Sequence, residues 1–276
     1  MELISVIKNL FTYDFIVKAF EVGIIVSLCS ALLGVSLVLK RYSMIGDGLS
    51  HVSFGAISVA VAFGFAPLAV SIPVVIIAAF AILRMRENGR MHGDAAIAAV
   101  SASSLAIGVT VTSLTTGMTT DVSTYMFGSI LAMTDEDVIL SVVLSVFVLL
   151  LFILCYHKIF AVTFDESFSK ATGVNVSLYN TLIAVLTAVT IVLGMRMMGA
   201  MLISSLIIFP SLSSMRIFKS FMGVVISSGV ISVVCFCIGM IISYCYSTPV
   251  GASIVIINLC VFFICCIIQR MKGMRR

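Results

Sequence analysis

Charge is scarce in this sequence. Asp, Glu, Lys and Arg make up only 10% of its 276 residues and hydrophobic residues 61%, whereas an ordinary soluble domain is about one quarter charged. That balance excludes a water-soluble globular protein and points to an all-α integral membrane protein, since helices satisfy their own backbone polar groups in lipid. The phosphate-binding pattern GxxxxGK[ST] is missing, and no polar stretch is large enough to form a nucleotide-binding domain. The chain is therefore not expected to be an enzyme, and an ATP-driven step would need a separate ATPase subunit. The eight cysteines, Cys29, Cys155, Cys235, Cys237, Cys245, Cys260, Cys265 and Cys266, lie in apolar segments without CxxC spacing, so they read as small buried hydrophobes. MELISVIKNLFTYD at the start lacks a short apolar core followed by a cleavage site, and no cleavable signal peptide is expected.

What is present is a series of apolar runs, at about 15–39, 44–64, 67–83, 94–115, 138–156, 178–195, 198–217, 220–246 and 250–268. Each is near the ~17 to 25 residues that a spanning helix needs. The short third run could be re-entrant, which leaves eight to nine transmembrane helices in a single polytopic domain, 1–276. With nine spans, the cations alternate with the topology. Lys40 and Arg41, Arg84, Arg86 and Arg90, Lys158 and Lys170, Arg216 and Lys219, and the C-terminal Arg270, Lys272, Arg275 and Arg276 all fall on one side, leaving Lys8, Lys18 and Arg196 elsewhere. The positive-inside rule makes that side the cytoplasm, with the N-terminus outside and the C-terminus inside. The net charge of +4 thus reports topology, and the cations form no groove-sized stripe for nucleic acid. An outer loop, 116–137, carries Asp121, Asp135, Glu136 and Asp137 without a cation and is expected to attract cations unless it is only a solvated loop.

Two ionisable residues enter the second run together: Asp47 and His51, in GDGLSH. Counted from Lys40 and Arg41 at ~1.5 Å per residue, Asp47 should lie about 10 Å inward and His51 near mid-membrane. Four residues apart, they share a helix face and could converge on one divalent cation or relay a proton. A hydrogen bond from His51 to another helix, or an Asp47 pair with Arg41, would be purely structural, but such groups at membrane depth cost about 2.5 kcal/mol or more and usually mark a path. Gly46, Gly48, Ser50, Ser53 and Gly55 keep the surroundings small, for an ion path or for a close helix neighbour. Lys18 and Glu21, three apart, are expected to neutralise each other. Arg196, near the outer boundary, would oppose cation entry unless paired. MRMMGAM at 195–201 suggests a soft metal less readily than apolar packing.

GDGLSH at 46–51 resembles the G-D-x-x-[SA]-H motif of the ABC-type zinc/manganese/iron import permeases. Four further stretches agree in order: DAAIAAVSASSLAIGV at 94–109 is similar to D-T-A-I-G, YMFGSILAM at 125–133 to L-F-G-x-[IL]-L, MGAMLISSLIIFPSLSSM at 198–215 to V-G-x-L-L-x-x-A-L-L-I-x-P, and PVGASIVI at 249–256 to P-[SV]-G-[AP]. The resemblance covers about residues 10–265. FDESFSKATGVNVSLYN at 164–180 is similar to the F-D-x-x-[FY]-A-x-x-x-G loop of these permeases, with Ser169 where alanine is common. Ser247 replaces an aspartate found before the Pro-x-Gly turn in many relatives. The resemblance implies a homodimeric permease in the bacterial cell membrane, paired with a cytoplasmic ABC ATPase and an extracytoplasmic metal-binding protein or lipoprotein. It implies Zn²⁺ or Mn²⁺ as the transported ion at Asp47 and His51, with no permanently bound cofactor. It also implies a cytoplasmic ATPase-coupling loop at 157–177, carried by Asp165, Glu166 and Gly173. Asp165 and Glu166 would open a short helix that Gly173 stops. The rival is a stand-alone cation:proton antiporter or channel, which has no need of that loop.

Overall fold

The computed structural model describes residues 14–87, 93–116 and 134–273. YMFGSILAM, Asp121 and Arg90 lie outside them. The described residues form eleven helices: α1 Asp14–Leu39, α2 Ile45–Ala62, α3 Pro67–Glu87, α4 Gly93–Thr116, α5 Asp135–Leu154, α6 Tyr156–Phe164, α7 Glu166–Ala171, α8 Val176–Met198, α9 Ala200–Ile217, α10 Phe221–Tyr246 and α11 Val250–Gly273. Nine of these, all but α6 and α7, are long and apolar enough to span a membrane. The third run is a helix of 21 residues, so among the described residues nine spans replace the expected eight to nine.

Lipid tails are as apolar as leucine, so burying leucine gives spanning helices no reason to associate; close packing and interhelical hydrogen bonds must do it. The sequence supplies both in α1, α9 and α10. A Cβ on Gly34 of α1 would stand 2.1 Å from the Ile207 carbonyl oxygen, so these two backbones touch only because position 34 has no side chain. Buried Ser232 of α10 donates to the Ser27 carbonyl at 2.9 Å, and Ser228 to that of Ala31 at 3.3 Å. The core around them takes Val22, Val26 and Leu33 from α1, Ile191 and Leu193 from α8, and Leu202 and Leu206 from α9. Helices α4 and α5 lie at the periphery, with Leu114, Ile139, Ile153 and Leu154 exposed.

Polar links tie alternate helix ends together. Lys18, at the start of α1, meets Asp135 at the start of α5 at 2.7 Å. At the opposite face, Lys40 at the end of α1 meets Glu166 between α5 and α8, and Arg216 at the end of α9 donates to Gln269 at the end of α11. Both sets agree with the alternation of nine spans. The reversal between α8 and α9 is a single residue, Gly199, at φ 86° and ψ 161°, a region open essentially to glycine alone.

Candidate functional site

The five residues before α2 decide where Asp47 sits. Helix α1 ends in a left-handed cap: Arg41 has φ 59°, its N–H reaches the Val38 carbonyl, and the N–H of Tyr42 reaches that of Leu37. This is the double bond pattern usually made around glycine, here carried by an arginine. A turn therefore occupies 40–44, and α2 begins at Ile45. The count of a continuous helix from Arg41 is corrected accordingly. Asp47 lies in the first turn of α2, about 3 Å along it, and His51 about 9 Å along, a third of the helix length. Neither is at its middle, and the carboxylate lies where the helix dipole favours negative charge.

Asp47 Oδ2 and His51 Nε2 are 3.7 Å apart, with side-chain exposures of 48% and 18%. That gap is too long for a hydrogen bond. A tetrahedral metal held by oxygen and nitrogen at about 2.1 Å would separate its two ligand atoms by about 3.4 Å, so a small rotamer shift would let both atoms bind one ion. Among the described residues no third His, Cys, Asp or Glu joins them. No Asp47–Arg41 ion pair occurs among them either.

The small residues around this pair serve packing. A Cβ on Gly55 would stand 2.7 Å from the Ser104 carbonyl oxygen of α4, and one on Gly48 2.5 Å from the Ile97 side chain. Ser50 and Ser53 are fully buried, and the Ser50 hydroxyl donates to the Asp47 carbonyl at 2.7 Å. Of the two uses open for these residues, the close helix neighbour is the one observed.

Two pairings between helices were beyond local reading. Lys18 does not pair with Glu21; it lies 2.6 Å from Asp14 and 2.7 Å from Asp135. Arg196 is neutralised by Asp137, Nη2 to Oδ2 2.7 Å, with both side chains largely buried. The acidic run at 135–137 is thus partly spent within the fold, since Asp135 and Asp137 are both paired. Ser247 takes a left-handed conformation at φ 52° and caps α10, with the Thr248 N–H on the Ser243 carbonyl.

The segment 157–177 folds as α6 without its first residue, then α7 and the first two residues of α8. Tyr156, Phe160 and Phe164 stack on Phe221 of α10 with ring centroids 5.0 to 5.8 Å away, which anchors α6. Asp165 caps α7 by accepting the Phe168 N–H at 2.9 Å. Gly173 stops it at φ 82°, with its N–H on the Lys170 carbonyl and that of Val174 on the Ser169 carbonyl. Phe168 is 63% exposed. Glu166 is a half-buried hub that accepts from Lys40 Nζ at 2.7 Å and from Asn180 Nδ2 at 3.2 Å. Burial pushes its carboxyl pKa up, but the Lys40 ammonium and the Asn180 amide outweigh it and hold the group below the ordinary glutamate value.

Residues 12–269 match the ABC 3 transport family. The chain belongs to that family. The zinc uptake membrane protein ZnuB of Buchnera aphidicola is 29% identical over 92% of this chain and 97% of its own length. The manganese import permease ScaB of Streptococcus gordonii is 25% identical over 94% of this chain and 92% of its own. PsaBC from Streptococcus pneumoniae, solved with a Fab, superposes at a TM-score of 0.87 with 26% identity over 99% of both chains. The ABC 3 chain described here is accordingly a multi-pass membrane protein with a permease fold.

Proposed function

We propose that this chain is the membrane-spanning subunit of an ATP-binding-cassette importer that carries a divalent transition metal into the cytoplasm, zinc first and manganese next, past Asp47 and His51. The observation that carries this reading is the pair itself: a carboxylate and an imidazole within reach of one ion on a spanning helix. Family membership and relatives named for zinc and manganese support the choice of cargo. Imidazole tilts the pair toward zinc, although affinity order alone does not set selection in cells. Two protein ligands leave coordination positions for water or a second copy, so the ion would be held loosely enough to leave. The half-exposed Asp47 and the exposed flank of α4 suit a homodimer that covers them. The sequence holds no nucleotide-binding loop, so a separate ABC ATPase would hydrolyse ATP and dock at 157–177 through Asp165, Glu166, Gly173 and the exposed Phe168. An extracytoplasmic metal-binding protein or lipoprotein would deliver the ion at the opposite face. In this reading the face of Lys40, Glu166 and Arg216 is cytoplasmic.

The test is uptake of radiolabelled zinc or manganese into proteoliposomes holding the permease, its ATPase and its binding protein. Metal binding requires ionised Asp47 and neutral His51, so Asp47→Asn and His51→Ala should each abolish ATP-driven uptake while capture by the binding protein survives. Near-normal uptake in both variants would remove the pair from the path. Uptake driven by a pH gradient without ATP would favour the antiporter.

A further inference from the structure

We propose that Lys40, Glu166 and Asn180 form a polar latch through which α7 moves the turn before α2, making Lys40 and Asn180 positioning residues for transport. The inference rests on the reading that α7 meets the ATPase and that α2 carries the ion ligands. Lys40 is the capping residue of α1, yet its side chain is only 6% exposed. A buried lysine persists where it is paired, and this one is paired twice: Nζ donates to Glu166 Oε1 at 2.7 Å and to the Asn180 side-chain oxygen. Asn180, itself 8% exposed, closes the triangle by donating to the same Glu166 oxygen at 3.2 Å. The end of α1 thus shares one knot with two segments more than 120 residues further along the chain, the start of α7 and the first turns of α8.

The route from the knot to the ion pair is short and stiff. Lys40 to Asp47 is seven residues, and hydrogen bonds brace the interval: Arg41 to Val38, Tyr42 to Leu37, Ile45 to Tyr42 and Gly48 to Met44, at 2.7 to 3.1 Å. The left-handed Arg41 marks a turn with one defined shape rather than a slack linker. A displacement of Glu166 therefore passes to the start of α2 with little to absorb it. A cavity of about 500 Å³, lined by Tyr42, Arg84, Glu166, Lys170, Ser177 and Asn180, gives α7 room to move against α8.

The experiment uses the permease with its ATPase in proteoliposomes. Lys40→Met should keep ATPase co-purification and ATP hydrolysis while lowering metal uptake per ATP at least tenfold. Lys40→Arg, which keeps a cationic donor for Glu166 and Asn180, should retain much of the uptake. Spin labels at Ser43 and Met222 should report a nucleotide-dependent distance change in the parent protein that is absent in Lys40→Met. If Lys40→Met fails to fold, Asn180→Leu serves in its place. Uptake per ATP within twofold of the parent, an unchanged label response, loss of ATPase binding, or a Lys40→Arg variant as impaired as Lys40→Met would each overturn the latch. The label response makes no use of the ion. Normal uptake by Asp47→Asn alongside a lost response in Lys40→Met would reject the metal path and leave the latch standing.

Discussion

Asp137→Asn should be far more damaging than Asp135→Asn, although the two aspartates are two residues apart and each meets a cation at 2.7 Å. The difference is burial. Asp137 and Arg196 are 14% and 15% exposed, whereas Asp135 is 79% exposed and its Lys18 partner is shared with Asp14. At 2.7 Å and an effective dielectric constant of about 20, the buried pair attracts by about 6 kcal/mol before desolvation. Breaking such a pair from one side typically costs about 3 to 5 kcal/mol, because the remaining charge is left uncompensated. Arg196 Nη1 is already buried without a hydrogen-bond partner among the described residues, so no spare acceptor is in place to compensate. Asparagine still offers an oxygen, which puts Asp137→Asn near the lower end, about 3 kcal/mol. Asp137→Ala should cost more, because it also removes the capping box in which the Asp137 carboxylate accepts the Thr134 N–H. Unfolding in mixed micelles titrated with a denaturing detergent reads these differences directly. The paired change Asp137→Leu with Arg196→Met should recover most of the loss, since it leaves no orphan charge. Equal costs for Asp135→Asn and Asp137→Asn would refute the reasoning.

In the same unfolding assay, Ser169→Ala should be neutral or stabilising by up to about 1 kcal/mol, because the Ser169 hydroxyl is buried with no partner among the described residues; a clear loss would reveal a partner for it. Gly199→Ala should cost about 1 to 3 kcal/mol through its backbone conformation, and an unchanged unfolding midpoint would show that the α8–α9 reversal relaxes easily. The depressed pKa of Glu166 means that its contribution is full above the unfolded glutamate value and fades as pH falls through the folded one. The stability gap between the parent and Glu166→Gln should therefore hold from pH 7 to about pH 5 and narrow below it; a gap that widens in acid would contradict the sign. In a cysteine-free background, a single cysteine at Phe65 should react with an impermeant thiol reagent from outside and one at Lys219 should not. The reverse pattern would invert the assigned orientation.

How much of this could be read in advance depended on the range of the interaction. The spans were legible, with only the short third run left open between eight and nine, because each is a continuous apolar run and hydropathy is a local sum. The shared face of Asp47 and His51 was legible because a four-residue spacing fixes it in any helix. The stop at Gly173 was legible too, since glycine is the usual residue at a left-handed cap. The cap at Arg41 was not, because an arginine gives no such signal, and that one residue ends α1 and leaves Asp47 in the first turn of a new helix. The ion pairs of Lys18, Arg196 and Lys40 failed for another reason. Apart from Asp14, four residues before Lys18 on α1, their partners stand in other helices, and lateral neighbours follow from how helices pack, which no local pattern states.

Topology nevertheless narrows that search more than the sequence reading used. Once nine spans alternate, every charged residue near a helix end is assigned to one of two faces, and a cation that cannot stay solvated must find its partner on its own face. Lys40 then has few candidates, and the acids of the 157–177 segment, Asp165 and Glu166, lie on the same face. Arg196 likewise shares its face with Asp135, Glu136 and Asp137. Packing selects among these candidates: Asp137 is the one whose side chain is buried, and Arg196 pairs with it. The same logic applies to Asp47, whose half-exposed carboxylate has no cation beside it among the described residues. A charge left open on a spanning helix needs either water or a cation, and the proposed path for divalent ions would supply both.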